Sequence, residues 1–217
     1  GNPVSTTITD TVDTTTVSLT ADASVAEGGS IVYTATVDNP TDTDMTVSLS
    51  NGATITIAAG ASFGTASVAA PADDVYVDGS TQNVTITGTT GGNFENLFID
   101  TTAASTTITD TIGDTTISLA ATGTVDEGGS ITYTATVDNA PQGDMTVTLQ
   151  DGTTITILDG QLTGSATVSA PADDAVIDAG SVTNSIASVS GGNFENVVNA
   201  NDATNPVNTT ITDTVDT

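Results

Sequence analysis

The chain repeats itself after 100 residues, so its fold is expected to be built from units of about that size. The hexapeptide Ser-Thr-Thr-Ile-Thr-Asp at 5–10 recurs at 105–110, and the same register extends to Gly-Asn-Phe-Glu-Asn at 92–96 and 192–196. The motif Thr-Thr-Ile-Thr-Asp begins a third time at Thr209. Self-similarity at a fixed period is typical of tandem arrays. The sequence therefore predicts a segment of a longer series of similar domains.

Within each repeat, apolar and polar residues alternate. Ile31, Tyr33, Ala35 and Val37 fall on one side of a run whose other side is polar, which is the period of a half-buried strand. The richness in Thr and Val favours strands over helices. The other predicted strands of the first repeat are Val17–Thr20, Met45–Leu49, Thr54–Ile57, Ser62–Val68, Asn83–Thr87 and Leu97–Ile108, the last with a possible break near Ala103.

About seven short strands in a repeat of this length predict an all-β fold of tandem immunoglobulin-like, Greek-key β-sandwich domains arranged end to end. Asn51-Gly52 and Asp151-Gly152 lie between alternating runs and indicate two-residue hairpins. We expect residues 1–12 to be the last strand and linker of a preceding repeat. The two complete domains are predicted at 13–112 and 113–215, and residues 216–217 would begin the next repeat.

All the charged residues are acidic. The chain has 27 Asp and Glu, no Lys, Arg, His or Cys, and a formal charge of −27. Nucleic acid is an unsuitable partner because phosphate binding needs basic residues, and no apolar run is long enough for a membrane span. Without His or Cys, only oxygen ligands remain, and these suit hard cations such as Ca²⁺. The expected partner is therefore a cation.

The acids concentrate in loops that a sandwich of this topology brings to the two ends of a domain. Eight acids of the first repeat have acidic counterparts 100 residues later, for example Glu27 and Glu127. Ca²⁺ takes six to eight oxygens, more than one short loop here supplies, so we expect it at the joints between domains. Turn formation is the competing explanation for each single Asp or Asn. The predicted ligands are Asp10, Asp13, Glu27, Asp38, Asp44, Asp73, Asp74, Asp78, Asn93, Glu95, Asp110, Asp114, Glu127, Asp138, Asp144, Asp173, Asp174, Asp178, Asn193, Glu195 and Asp213.

Four stretches of the chain together resemble the extender repeats of giant RTX adhesins of Gram-negative bacteria. They are residues 13–30, 51–57, 71–74 and 91–96. The resemblance implies an extracellular, cell-surface protein exported by type I secretion, in which Ca²⁺-bound immunoglobulin-like domains hold an adhesive tip away from the cell for biofilm formation. The joint ligands also resemble those of cadherins. One departure is that Asp13 aligns with Gly113 rather than with an acid, while Asp114 is shifted by one position.

These observations predict a structural extender, a monomeric rod whose partners are the neighbouring repeats of its own chain. An enzyme is not expected, because no His or basic side chain supports the carboxylates. The alternative is a surface- or carbohydrate-binding adhesin module, although the chain lacks Trp. A third possibility is that the acidity only confers solubility or salt tolerance, without a specific ion site.

Overall fold

The structure, a computed structural model, describes residues 3–9, 11–177 and 179–214. These residues form twenty strands and no helix, so none of the described segments is a helix that could cross a membrane. The chain divides into two compact units. The first comprises Gly1–Asp73 and Asp78–Thr111, and the second comprises Ile112–Thr217 together with the short segment Asp74–Val77.

Each unit contains ten strands. Those of the first are β1 (Thr14–Ala21), β2 (Ser24–Ala26), β3 (Ser30–Val37), β4 (Met45–Leu49), β5 (Thr54–Ile57), β6 (Phe63–Ala69), β7 (Ser80–Val84), β8 (Ile86–Gly91), β9 (Asn96–Ile99) and β10 (Ala104–Thr109). Those of the second are β11 (Asp114–Ala121), β12 (Thr124–Asp126), β13 (Ser130–Val137), β14 (Met145–Leu149), β15 (Thr154–Ile157), β16 (Thr163–Ser169), β17 (Gly180–Asn184), β18 (Ile186–Gly191), β19 (Asn196–Asn199) and β20 (Val207–Thr212).

The strands of the first unit form a β-sandwich. A four-stranded sheet has the order β6-β3-β1-β9, and two three-stranded sheets have the orders β2-β10-β7 and β5-β4-β8. The second unit repeats this arrangement as β16-β13-β11-β19, β12-β20-β17 and β15-β14-β18. Most pairs are antiparallel, whereas β1 pairs with β9 and β2 with β10 in parallel. The all-β prediction of tandem sandwich domains is therefore confirmed.

The alternating apolar residues of both layers meet in one core per unit. In β3, buried and accessible residues alternate, and Ile31 and Tyr33 are fully buried. Met45 and Ile55 join them from the facing sheet. Burying side chains of this size stabilises a domain by about 1.5–3 kcal/mol each. The corresponding residues of the second unit form an equivalent core, so the repeated alternation specifies the same packing twice.

Two predicted strands are each divided in the structure. The predicted strand 83–87 is interrupted at Thr85, whose N–H donates to Ser50 Oγ at 3.1 Å, and its halves belong to β7 and β8 in different sheets. The predicted strand 97–108 becomes β9 and β10, again in different sheets. The chain thus crosses between sheets at these breaks. The short strand β2 was not predicted.

Candidate metal centre

The parallel pairing of β2 with β10 brings two acidic residues together. The strands align Thr109 with Ala26, so the next residue of each, Asp110 and Glu27, leaves the sheet at the same end. The Glu27 N–H donates to Thr109 O at 3.0 Å, which fixes the start of the loop. We call the end of a unit where these two strands finish its exit end, and the end where the first strand begins its entry end.

The same exit end is built in the second unit. There β12 pairs in parallel with β20, aligning Asp126 with Thr212, and the Glu127 N–H donates to Thr212 O at 3.0 Å. Asp213 follows directly, in the position that Asp110 holds in the first unit. The chain topology therefore produces a Glu–Asp pair in each repeat.

The two carboxylates in the first unit are close and poorly hydrated. Glu27 and Asp110 each offer an oxygen within 4.8 Å of the other. Glu27 is only 7% exposed, and Asp110 Oδ1 is buried with no hydrogen-bond partner among the described residues. Two unit charges 4.8 Å apart repel by about 0.9 kcal/mol in bulk water and by roughly 3.5 kcal/mol at an effective dielectric of about 20. No basic side chain exists in the chain to offset this repulsion.

The loop after β6 supplies a third carboxylate to this end. Gly28 N–H donates to Pro71 O at 2.7 Å, and a Cβ placed on Gly28 would lie 3.8 Å from the Cβ of Asp73. Gly28 has φ +68°, a conformation that favours glycine. The hydroxyl of Thr111 donates to Asp73 Oδ1. Asp73 is therefore tied to the segment that follows β10.

The second unit has equivalent contacts. Gly128 N–H donates to Pro171 O at 2.6 Å, and the hydroxyl of Thr214 donates to Asp173 Oδ1. Thr111 and Thr214 were not among the predicted residues. The only sequence feature that marks them is that each immediately follows the last acid of its repeat. Asp-Thr pairs are common in this acidic, Thr-rich chain, so this feature does not identify the two residues.

The donor set of the exit end fits a hard cation. Two oxygens bound to one Ca²⁺ can be at most about 5 Å apart, twice the usual Ca–O distance of about 2.3–2.6 Å, and the Glu27–Asp110 pair meets this limit. Asp110 Oδ1 has no competing hydrogen bond among the described residues. Both features are what a site for an oxygen-coordinated ion requires.

Acids of the entry end are engaged differently, because backbone N–H groups donate to them. Asp38 Oδ2 accepts from Thr16 N–H at 3.1 Å, and Asp138 Oδ1 accepts from Thr116 N–H at 2.9 Å. Asp44 Oδ1 accepts from Ala59 N–H at 2.8 Å. These bonds connect loops to neighbouring strands. The equivalent bond of the second unit joins Asp144 Oδ1 to Asp159 N–H at 3.0 Å.

The Gly-Gly-Asn-Phe-Glu-Asn segments also lie at the entry ends. Asn93 and Asn193 both have φ +58°, a conformation that Asn tolerates better than most residues. Glu95 Oε2 accepts from Asp13 N–H at 2.7 Å, and Glu195 Oε2 accepts from Gly113 N–H. The contact with the glutamate is kept although Asp13 is replaced by Gly113, because the donor is the backbone N–H group.

The remaining predicted ligands occupy turns or lie outside the described residues. Asp74 Oδ1 accepts from Tyr76 N–H at 2.8 Å, and Asp174 Oδ1 accepts from Val176 N–H at 2.7 Å, as in Asx turns. Asp114 Oδ1 accepts from Asn196 Nδ2 at 2.7 Å, and Asp78 is exposed. Asp10 and Asp178 fall outside the described residues. Metal ligation by each of these residues stays a prediction.

A family model described as "LapA domain" matches residues 13–111 and again residues 113–214. No curated protein matches the chain.

Proposed function

Because this chain belongs to the LapA domain family and contains two copies of that domain, we propose that it is an extender segment of a large bacterial surface adhesin. In this proposal Ca²⁺ bound by the exit-end carboxylates stiffens the joint that follows each repeat. The array then holds an adhesive tip away from the cell surface. The role is structural and involves no catalysis.

The observation that carries the proposal is the Glu27–Asp110 pair. The two carboxylates have oxygens within 4.8 Å, and Asp110 is the residue directly after β10, where the chain leaves the sandwich. A cation shared by these residues would tie the chain leaving the sandwich to the loop after β2. Asp73 reinforces the same segment through Thr111. The candidate ligands in the second unit are Glu127, Asp173 and Asp213.

Bound Ca²⁺ would supply positive charge that the polypeptide lacks. Without Ca²⁺, the carboxylates of Glu27 and Asp110 repel each other, and no bound ion holds the segment that follows β10. Extracellular modules typically bind Ca²⁺ with dissociation constants of about 10⁻⁴ to 10⁻³ M. We therefore propose an array that is flexible at cytosolic calcium concentrations and stiff outside the cell. Export by type I secretion and a role in biofilm formation are part of the same proposal.

Calcium titration of the whole chain tests the ion site. We expect saturable binding by calorimetry, with heat that is lost when both Glu27→Gln and Glu127→Gln are introduced. The matched control carries Asp100→Asn and Asp202→Asn, which also remove two negative charges but keep acceptors for the N–H groups of Thr102 and Thr204. If the chain with Glu27→Gln and Glu127→Gln bound Ca²⁺ as well as the control chain does, the two glutamates would not be ligands. Absence of any saturable binding would favour an acidity that serves solubility alone.

Small-angle scattering tests the mechanical part. We expect EDTA to lower the radius of gyration or to increase the flexibility of the chain, and added Ca²⁺ to reverse the change. The Glu27→Gln chain should resemble the chelated protein even when Ca²⁺ is present. Identical scattering curves with and without chelator would contradict stiffening, even if calorimetry detected bound ions.

In the part of the chain that the structure describes, the exposed aromatic residues are not repeated, so they do not support the carbohydrate-binding alternative. Phe63 and Phe98 are exposed aromatic residues in the first unit, but Thr163 and Val198 occupy the equivalent positions in the second. A glycan array would favour this alternative only if it returned a reproducible, Ca²⁺-dependent ligand that Phe63→Ala or Phe98→Ala abolished.

A further inference from the structure

The entry end of the first unit contains a concave pocket. Its volume is about 260 Å³, and we call it the Phe94 pocket, after its aromatic wall. Gly92 packs against the Phe94 ring so closely that an added Cβ would lie 2.9 Å from ring atom Cε2. The lining residues used below are Pro40, Asn93, Phe94 and Glu95.

In the second unit the equivalent position is filled by the segment Asp74–Val77, which belongs to that unit. The rings of Tyr76 and Phe194 are stacked, with centroids 5.5 Å apart and an interplanar angle of 24°. The Tyr76 hydroxyl donates to Ala140 O at 2.6 Å. Aromatic contact and a directed hydrogen bond thus hold the same side chain.

Backbone pairing adds to these side-chain contacts. Tyr76 and Phe194 form an antiparallel β-bridge. On its two sides, Val77 N–H donates to Asn193 O and Glu195 N–H donates to Val75 O, both at 3.1 Å. An extended segment that adds backbone hydrogen bonds and inserts one side chain into a pocket is a recurring mode of peptide recognition.

The Phe94 pocket retains the features that receive this segment. Asn93 has the same φ of +58° as Asn193, and Phe94 lies at the position of Phe194. Pro40 replaces Ala140 and still offers the carbonyl oxygen that a tyrosine hydroxyl would need. Within the described part of the chain, Asn93 O and Glu95 N–H form no backbone hydrogen bond. Glu95 is exposed, whereas Glu195 is half-buried.

The second unit carries a loop of the type that would fill such a pocket. Val176 and Ile177, the counterparts of Tyr76 and Val77, are 62% and 90% exposed. The Asx turn that precedes Tyr76 is also present here, since Val176 N–H donates to Asp174 Oδ1 at 2.7 Å. The loop therefore presents two apolar side chains from an already formed turn.

We propose that the Phe94 pocket is a docking site for this loop from another copy of the repeat. Val176 inserts beside Phe94, and the flanking backbone pairs with residues 93 and 95. This contact involves no metal, so it extends the function proposed above rather than depending on it. Between separate chains, the loop of one would enter the pocket of the next. Such head-to-tail contacts link chains into an open series unless the rotation between successive chains closes a ring.

Charge makes a specific prediction about this contact. Glu95 lies in the pocket wall and Asp173 and Asp174 precede the inserted residue, so the two surfaces repel. Added salt screens such repulsion and leaves apolar and backbone contacts in place. Docking should therefore strengthen as ionic strength rises, which is the reverse of the behaviour of an attractive ion pair.

Disulfide trapping in the full chain tests the proposal, since the natural sequence contains no Cys. The test chain carries Val176→Cys with Phe94→Cys, and it is oxidised in EDTA at low and high salt. We expect a ladder of linked chains on a non-reducing gel, forming at least tenfold faster than in the control chain with Val176→Cys and Phe63→Cys. Phe63 is also an exposed aromatic residue, 60% accessible, but it lies on β6. The ladder should form faster at high salt.

A second pair keeps the result interpretable. The chain with Tyr76→Cys and Phe194→Cys places the two thiols where the segment already lies against the aromatic residue. We expect a disulfide to form there within one chain. If that pair closes while the Val176–Phe94 pair links no faster than the Phe63 control, the docking proposal is overturned. Failure of the Tyr76–Phe194 pair to close overturns it too, because the seated segment is its template. Since every sample contains EDTA, neither outcome depends on Ca²⁺ binding.

Discussion

Both ends of each sandwich carry acidic residues, but in the first unit the two ends differ in what holds their carboxylates. At the entry end, Asp38 and Asp44 accept backbone N–H groups and fasten loops to strands. At the exit end, Glu27 and Asp110 have carboxylate oxygens within 4.8 Å of each other. The same residue type therefore completes the fold at one end and leaves a like-charge contact at the other. An end of the second kind is where an external cation can contribute most.

The largest expected difference between the ends concerns their glycines. Gly91, at the entry end, has φ +82°, and a Cβ there would overlap the carbonyl oxygen of Asp44. Gly28, at the exit end, has φ +68° but meets nothing closer than 3.8 Å. We expect Gly91→Ala to destabilise the first unit by about 3 kcal/mol or more, and Gly28→Ala by about 1–2 kcal/mol, in denaturant unfolding.

Gly52→Ala separates the two contributions to this effect. Gly52 has φ +85°, and an added Cβ there would meet nothing within 4 Å, so its substitution reports the unfavourable backbone conformation alone. Gly91→Ala should exceed it clearly. Equal losses for Gly52→Ala and Gly91→Ala would mean that the backbone around Asp44 moves to accommodate the added atom.

Metal removal should produce the next largest effect, and only through the exit end. A ligand present at 100 times its dissociation constant stabilises the folded state by about 2.7 kcal/mol per site. We expect EDTA to lower the melting temperature by ~10 °C relative to saturating Ca²⁺. In the chain with Glu27→Gln and Glu127→Gln, that difference should largely disappear.

The entry end provides the control for this measurement. Asp38→Asn and Asp138→Asn remove the same number of charges but retain an oxygen acceptor for the N–H groups of Thr16 and Thr116. The Ca²⁺-dependent change in melting temperature should persist in that chain. If the entry-end pair abolished it instead, the functional distinction between the ends would be reversed.

Much of the fold could be predicted from the alternation of residues. The division at Thr85 could not, because Val84 and Ile86 are both buried and continue one alternating pattern although they belong to different sheets. Hydrophobic period reports which side of a strand faces the core. It does not report which neighbouring strand receives the backbone hydrogen bonds.

The residues of the candidate site could be predicted only in part, for a related reason. Glu27 and Asp110 were both among the predicted ligands, and the parallel pairing of β2 with β10 brings them to the same end. Asp38 was also among the predicted ligands; its carboxylate accepts the N–H of Thr16, and its binding of an ion stays a prediction. An Asp that accepts a backbone N–H and an Asp that binds an ion look the same in the sequence. The structure adds the positions of the nearby hydrogen-bond donors.

A smaller effect is expected from deleting one entry-end carboxylate. Asp38→Ala removes the acceptor for Thr16 N–H but leaves that group near solvent, so we expect a loss of about 1 kcal/mol in the free energy of unfolding. The loss should be the same in Ca²⁺ and in EDTA. Asp38→Asn should recover most of it, since the amide oxygen can accept the same bond. A loss that appears only in Ca²⁺ would instead identify Asp38 as a ligand.

The smallest expected effect is a change in acid titration at turns that belong to neither end. The Thr204 hydroxyl donates to Asp202 Oδ1 at 2.6 Å and, with the Thr204 N–H, lowers the pKa of Asp202 below its ordinary value of 3.8. A lower pKa in the folded state means that this contribution to stability is present above about pH 4 and is lost as pH falls through the folded-state pKa.

Thr204→Val should raise the pKa of Asp202 part of the way back, because the backbone donor remains. Carboxyl NMR between pH 2 and 6 measures this directly, with Asp100, which has the same kind of turn with Thr102, as the internal reference. Adding Ca²⁺ should leave both titrations unchanged, since each carboxylate is engaged by its own turn; a Ca²⁺-induced shift at either turn would show that ion binding extends beyond the exit ends.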